Sequence, residues 1–162
     1  MIYLFSSALG DIIYDWNGSH CQHLWLQQSA TQQHLSKHTD PVSVWLTAYF
    51  NAESSPLPPL SAANTAFQQR LRTTLLDIPP GAVCSYGDLA KLLHSSPRGI
   101  GQALKANRLP LLIPCHRIVA STGLGGFNCG QTWKTNLLKF EADHLNSGTT
   151  KQPALERCMA GV

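Results

Sequence analysis

The chain has 162 residues, with 12 Lys and Arg against 9 Asp and Glu, a formal net charge of +3. Charged residues make up 13% and apolar residues 43%, so the low charge does not signal disorder. No stretch approaches the ~20 apolar residues that cross a bilayer, and the longest, Leu109 to Cys115, holds two prolines. These values describe a soluble, globular chain of one large or two small domains.

In chain order, Ile2 and Leu4, then Ile12-Ile13-Tyr14, then His23 to Leu26 form short apolar runs. Gly10-Asp11 and Asn17-Gly18-Ser19 separate them as turns, which predicts a small antiparallel meander. Asp40 caps a helix opened by Pro41 that carries Val42, Trp45, Leu46, Tyr49 and Phe50. The proline-dense stretch from Ser54 to Ser61 cannot continue it and reads as an extended linker. This divides the chain into an N-terminal domain (1–60), a second domain (61–146) and a polar tail (147–162).

The second domain opens with a helix near Thr65 carrying Phe67, Leu71, Leu75 and Leu76, ended by Ile78-Pro79-Pro80-Gly81. Ser85-Tyr86-Gly87-Asp88 resembles a capping box, and Ser96-Pro97 caps a helix running to Ala106, with Asn107 as its stop. Two short helices joined by a tight turn, the second basic, form a helix-turn-helix candidate. Charge sharpens this: residues 89 to 140 carry seven Lys and Arg and no acid. Such a stretch fits a polyanion, most plausibly nucleic acid, about as well as it fits a solvated basic face.

Five cysteines at unrelated spacings argue against a disulfide framework. No Lys or Arg precedes Lys37, so the positive region of a secretory leader is missing and a reducing cytoplasm is the default. His20-Cys21-Gln22-His23 and the pair His34/His38 carry ligand-type side chains, but without a C-x-x-C signature no metal is expected. His94 and His144 read as surface or cap residues, Cys84 as core, and Cys158 falls in the tail.

The most informative stretch places Cys115-His116-Arg117 after an apolar run bounded by prolines. A cysteine there is partly desolvated, and a nearby base or positive charge would raise its thiolate fraction. Without other context such a cysteine is more often a small buried hydrophobe.

Pro114-Cys115-His116-Arg117-Ile118-Val119 resembles the active-site motif of the O6-alkylguanine-DNA alkyltransferases, or methylated-DNA–protein-cysteine methyltransferases. Ala66-Phe67-Gln68-Gln69-Arg70, Ile78-Pro79-Pro80-Gly81, Ser85-Tyr86-Gly87-Asp88-Leu89-Ala90 and Trp133 to Glu141 follow the family's order over half the chain. The resemblance implies an α+β protein: a ribonuclease-H-like N-terminal α/β domain and a mainly helical, winged helix-turn-helix domain. It implies a suicide enzyme of DNA repair, which moves an alkyl group irreversibly from O6-alkylguanine, and conceivably from O4-alkylthymine, to its own cysteine. The expected partner is double-stranded DNA holding the lesion, with no cofactor, no membrane, and a monomeric protein in the cytoplasm, or in the nucleus of a eukaryote.

By the same resemblance, Cys115 is the nucleophile, His116 its base through a water, and Glu141 the orienter of the imidazole. Tyr86 helps rotate the target nucleotide, Arg98 fills the stack that a flipped base leaves, and Gly99, Gly101 and Ala103 let the helix approach the minor groove. Arg117 is expected to contact DNA. Asn107, Pro110, Ile118, Phe127 and Asn128 are expected around the substrate. The sequence departs from the family at Arg108, where proline is usual, at Phe127, where tyrosine is common, and at Asn128-Cys129, where small residues predominate. A non-catalytic lesion-binding protein that flags damage is the alternative, though such relatives replace the acceptor cysteine. A helix-turn-helix regulator leaves His116 and Glu141 unexplained.

Overall fold

A computed structural model describes residues 1–27 and 39–145. His34, His38, Cys158 and the expected polar tail therefore lie outside the described residues. The chain is α+β and divides into two compact units: Met1–Ala62 with Arg108–Leu112, and Ala63–Asn107 with the chain from Ile113 onward.

In the first unit, β1 (Ile2–Ser7), β2 (Gly10–Trp16) and β3 (Cys21–Gln27) form an antiparallel sheet in the order β1-β2-β3. Their register pairs Leu4 with Ile13 and Tyr14 with Leu24. Ile12, Tyr14, Leu24 and Leu26 share one parity across β2 and β3 and are buried, the period-2 pattern of a sheet with one covered face. Helix α1 (Pro41–Phe50) buries Val42, Leu46 and Tyr49, at i, i+4 and i+7. Asp40 caps it by accepting from the backbone N–H groups of Val42 and Ser43, and also accepts the Tyr14 hydroxyl at 2.8 Å.

The stretch expected as a free linker is partly tied down. The Cys21 N–H donates to the Pro59 carbonyl, and the Ser61 N–H to the Cys21 carbonyl. The same unit takes in residues 108–112, where the Leu24 N–H donates to the Arg108 carbonyl and Leu109, Leu111 and Leu112 are buried. Leu111 holds φ 73°, an uncommon angle for a side chain of that size.

The second unit begins with α2 (Ala66–Leu76), capped by Thr65, whose buried residues are Leu71 and Leu75; Leu76 is exposed. β4 (Cys84–Ser85) pairs in parallel with β5 (Ile118–Val119). α3 (Tyr86–Leu92) starts at Ser85, whose hydroxyl accepts the Asp88 N–H at 3.0 Å. α4 (Pro97–Lys105) starts at Ser96, whose hydroxyl accepts the Gly99 N–H. A 3-10 turn, Cys115–Arg117, leads into β5, and α5 (Gln131–Phe140) passes into a π turn, Glu141–Leu145. Among the described residues no helix is long and apolar enough to cross a membrane.

Candidate active site

Cys115 opens the 3-10 turn between the apolar segment 109–114 and β5, so backbone pairing of β4 with β5 holds the turn in place. The side chain is buried, and burial pushes the thiol up to about 11. A hydrogen bond with the Asn107 side chain and the positive charge of Lys134 oppose that rise, while Cys129 adds to it. The sequence had pointed to an enlarged thiolate fraction; desolvation outweighs the nearby charge, and the resting sulfur holds its proton. Reaction therefore requires a base.

His116 supplies one. Its ring is fully buried, and its Nε2 lies 2.8 Å from Oε2 of Glu141. Arg117 makes a two-pronged contact with the same carboxylate: its Nε donates to Oε1 and its Nη2 to Oε2, both at 2.8 Å, while its Nη1 donates to the Ile78 carbonyl. Burial favours protonation of Glu141, but the charge that His116 takes on at the low pH where the carboxyl titrates, together with the Arg117 hydrogen bonds, prevails and holds the carboxyl well below its usual range. Because the carboxylate can only accept, Nε2 must carry the imidazole hydrogen. Burial lowers the His116 pKa, outweighing the pull of Glu141, whose charge Arg117 already balances. The neutral ring thus presents the lone pair of Nδ1, a buried atom with no hydrogen bond to the described protein.

Arg117, expected to contact DNA, is buried and engaged with Glu141 and Ile78. Ile118, expected around the substrate, has its side chain wholly in the core. Its carbonyl has a different use, accepting from the Lys134 Nζ at 2.6 Å.

Lys134 is the residue that sequence reasoning missed. It is fully buried on α5, donates also to the Gly126 carbonyl, and stands 5.8 Å from the centre of the Tyr86 ring. Desolvation lowers its pKa to about 8, with the Cys115 thiolate favouring its charge. The signal was available: a lysine at 134 shares the α5 face of buried Leu137 and Glu141, at i+3 and i+7.

The loop from Leu124 to Gly130 lies over these groups. Tyr86 donates its hydroxyl to the Gly126 carbonyl at 3.2 Å, and burial raises its pKa. Gly125 has φ 73°, and a Cβ there would stand 2.7 Å from Tyr86 Cε2, so the loop can approach the ring only with glycine. Phe127 and Cys129 are half-buried, and the exposed Asn128 donates to the Lys105 carbonyl. Asn107 also donates to the Ile113 carbonyl, bracing the approach to Cys115. Pro110 is buried in the 108–112 segment of the first unit.

Beyond Pro97, the exposed residues of α4 are Arg98, Gln102 and Lys105, a stripe at i, i+4 and i+7, with Gly101 partly exposed between them. Ala103, expected to let the helix approach the groove, is buried on the same face as Ile100 and Leu104. Gly99 has a local reason, since a Cβ would stand 2.8 Å from the Ser95 hydroxyl. At Gly101 nothing lies within 4 Å.

A buried thiol and a neutral imidazole on one 3-10 turn, with an orienting carboxylate brought to them from the end of α5, define the class: a cysteine-nucleophile site with a built-in base. Comparison with known proteins specifies it further. Residues 66–143 match the family described as 6-O-methylguanine DNA methyltransferase, DNA binding domain. A methylated-DNA–protein-cysteine methyltransferase of Archaeoglobus fulgidus is 39% identical over 103 residues, 59% of this chain and 70% of that protein. One from Methanopyrus kandleri is 48% identical over 65 residues, 40% of this chain and 50% of that protein. For several other curated relatives, too, the match spans about half their length. The crystal structure of Mycobacterium tuberculosis OGT in complex with DNA superposes with a TM-score of 0.75 at 28% identity, covering 88% of this chain and 93% of that one. The chain belongs to the methylated-DNA–protein-cysteine methyltransferase family.

Proposed function

We propose that this protein repairs O6-alkylguanine in double-stranded DNA by moving the alkyl group to Cys115, once per molecule. The observation that carries the reading is the protonated, buried Cys115 beside His116, whose Nδ1 is freed as an acceptor by the bond of Nε2 to Glu141. Cys115 Sγ gives its proton to His116, through a water by family analogy, and attacks the alkyl carbon. The S–C bond forms as the C–O6 bond breaks, and the electron pair leaves on guanine, which accepts a proton from the Tyr86 hydroxyl; the proton held on His116 offsets that loss through solvent. Lys134 offsets the negative charge while it resides on sulfur. No cofactor takes part, and the stable thioether ends the protein's activity.

Reaching O6 requires the nucleotide to leave the duplex. We assign α3 and α4 to a winged helix-turn-helix, with Arg98 entering the vacated stack and Gly101 on the face turned to the minor groove. The N-terminal unit would be the ribonuclease-H-like domain of the family, and a reducing compartment suits the free acceptor thiol. The relative solved in complex with DNA supports the partner. Phe127 keeps a stacking face for the base without the hydroxyl common in the family.

Incubation with duplex containing O6-methylguanine, followed by intact and peptide mass measurement, tests the proposal. The expected result is one added methyl, on the peptide holding Cys115, absent from Cys115→Ser. Lesion binding with no mass change would replace it with the damage-flagging reading.

A further inference from the structure

At the C-terminal end of α4 two carbonyls accept side chains from distant parts of its unit. The Ala103 carbonyl accepts from Gln68 Nε2 of α2. The Lys105 carbonyl, on the last residue of α4, accepts from Asn128 Nδ2 at 2.6 Å, 23 residues further along the chain. Asn128 stands in the loop that covers the cysteine site. That loop has other side-chain anchors: Tyr86 and Lys134 both donate to the Gly126 carbonyl, and Gln131 donates to the Gly125 carbonyl. Tyr86 belongs to α3, and Lys134 and Gln131 to α5. Among these anchors, only Asn128 reaches the helix whose exposed stripe carries Arg98, Gln102 and Lys105.

The geometry points to Asn128 as a positioning residue: a strap that makes the substrate loop follow α4, so that seating this helix on duplex also sets the pocket. Two features favour this role over a direct contact with the base. The amide nitrogen is already committed to Lys105, and one residue links the two elements that must act together. The bond is exposed and therefore weak, so it biases the loop without holding the fold. This deepens the proposed alkyl transfer and rests on it.

The test compares wild type with Asn128→Ala and Asn128→Asp, the latter keeping the size but removing the donor. Without DNA, hydrogen exchange at the amides of residues 104–107 should quicken about fivefold in both variants, with Leu89 and Ala90 of α3 as unchanged reference. In single-turnover reactions the limiting rate on lesion-containing duplex should fall about tenfold, while the half-saturating duplex concentration stays within about twofold. Unchanged exchange at 104–107, an aspartate variant equal to wild type, or a loss confined to the half-saturating concentration overturns the strap. Failure of wild type to transfer the alkyl group would refute the functional reading instead, and the exchange comparison would still decide whether the strap exists.

Discussion

The four side chains His116, Arg117, Lys134 and Glu141 are fully or almost fully buried, yet each retains polar partners. For His116, Lys134 and Glu141 burial makes protonation part of folding stability. For His116 the folded pKa lies below the unfolded value of 6.5, because the buried ring resists charge. The unfolded chain therefore binds the extra proton first, so the His116 contribution is complete above pH 6.5 and is lost as pH falls below it. Glu141, held far below its unfolded value of 4.5, adds a second loss as pH falls through the carboxylate range. Urea unfolding at a series of pH values should show stability falling below pH 6.5, by at most ~1.4 kcal/mol per pH unit from His116. His116→Gln should flatten the decline between pH 6.5 and 5; an unaltered slope would mean that another group titrates there.

At the scale of elements, two glycines separate folding from function. Gly101, inside α4 with open space around it, costs helix stability for no reason internal to the protein. Gly101→Ala should raise stability by ~0.5–1 kcal/mol in thermal unfolding and weaken binding to duplex, measured by fluorescence anisotropy. Gly125, at positive φ against Tyr86, has the opposite standing. Gly125→Ala should destabilise by ~1–3 kcal/mol and slow transfer through displacement of the loop. The helices were legible because their signals are local: Asp40, Ser85 and Ser96 each stand before the first turn and each caps it. The burial of Ala103 and Ile118 was not, since small and apolar residues suit a groove, a pocket or a core equally well until their neighbours are known.

For the whole molecule, the division into two units does not follow one cut in the chain. Residues 108–112 leave the second unit after Asn107, join the first through the Leu24 to Arg108 hydrogen bond, and return at Ile113, two residues before Cys115. A fragment of residues 63–145 would expose Leu109, Leu111 and Leu112, each worth ~1.5–3 kcal/mol when buried. Its stability in urea should fall short of that of the same unit in the full chain, with concentration-dependent aggregation by light scattering. Equal stability would show that the inserted segment contributes nothing to the second unit.

The sequence by itself determined the chemistry on offer: a cysteine beside a histidine, a glutamate 25 residues from that histidine, and basic residues gathered in one stretch. Capping residues and hydrophobic periodicity act between near neighbours, and the Cys-His-Arg motif is contiguous, so both can be read without a fold. Tertiary structure decided how that charge is used. Of the seven basic residues between 89 and 140, Arg117 and Lys134 are withdrawn into the interior, one to hold Glu141 and the other to stand by Cys115, leaving Arg98 and Lys105 on the exposed stripe of α4. The reason is physical: whether a cation faces solvent or a buried carboxylate depends on which segments pack around it, and no local pattern records that. The same desolvation sets the thiol proton that His116 must remove.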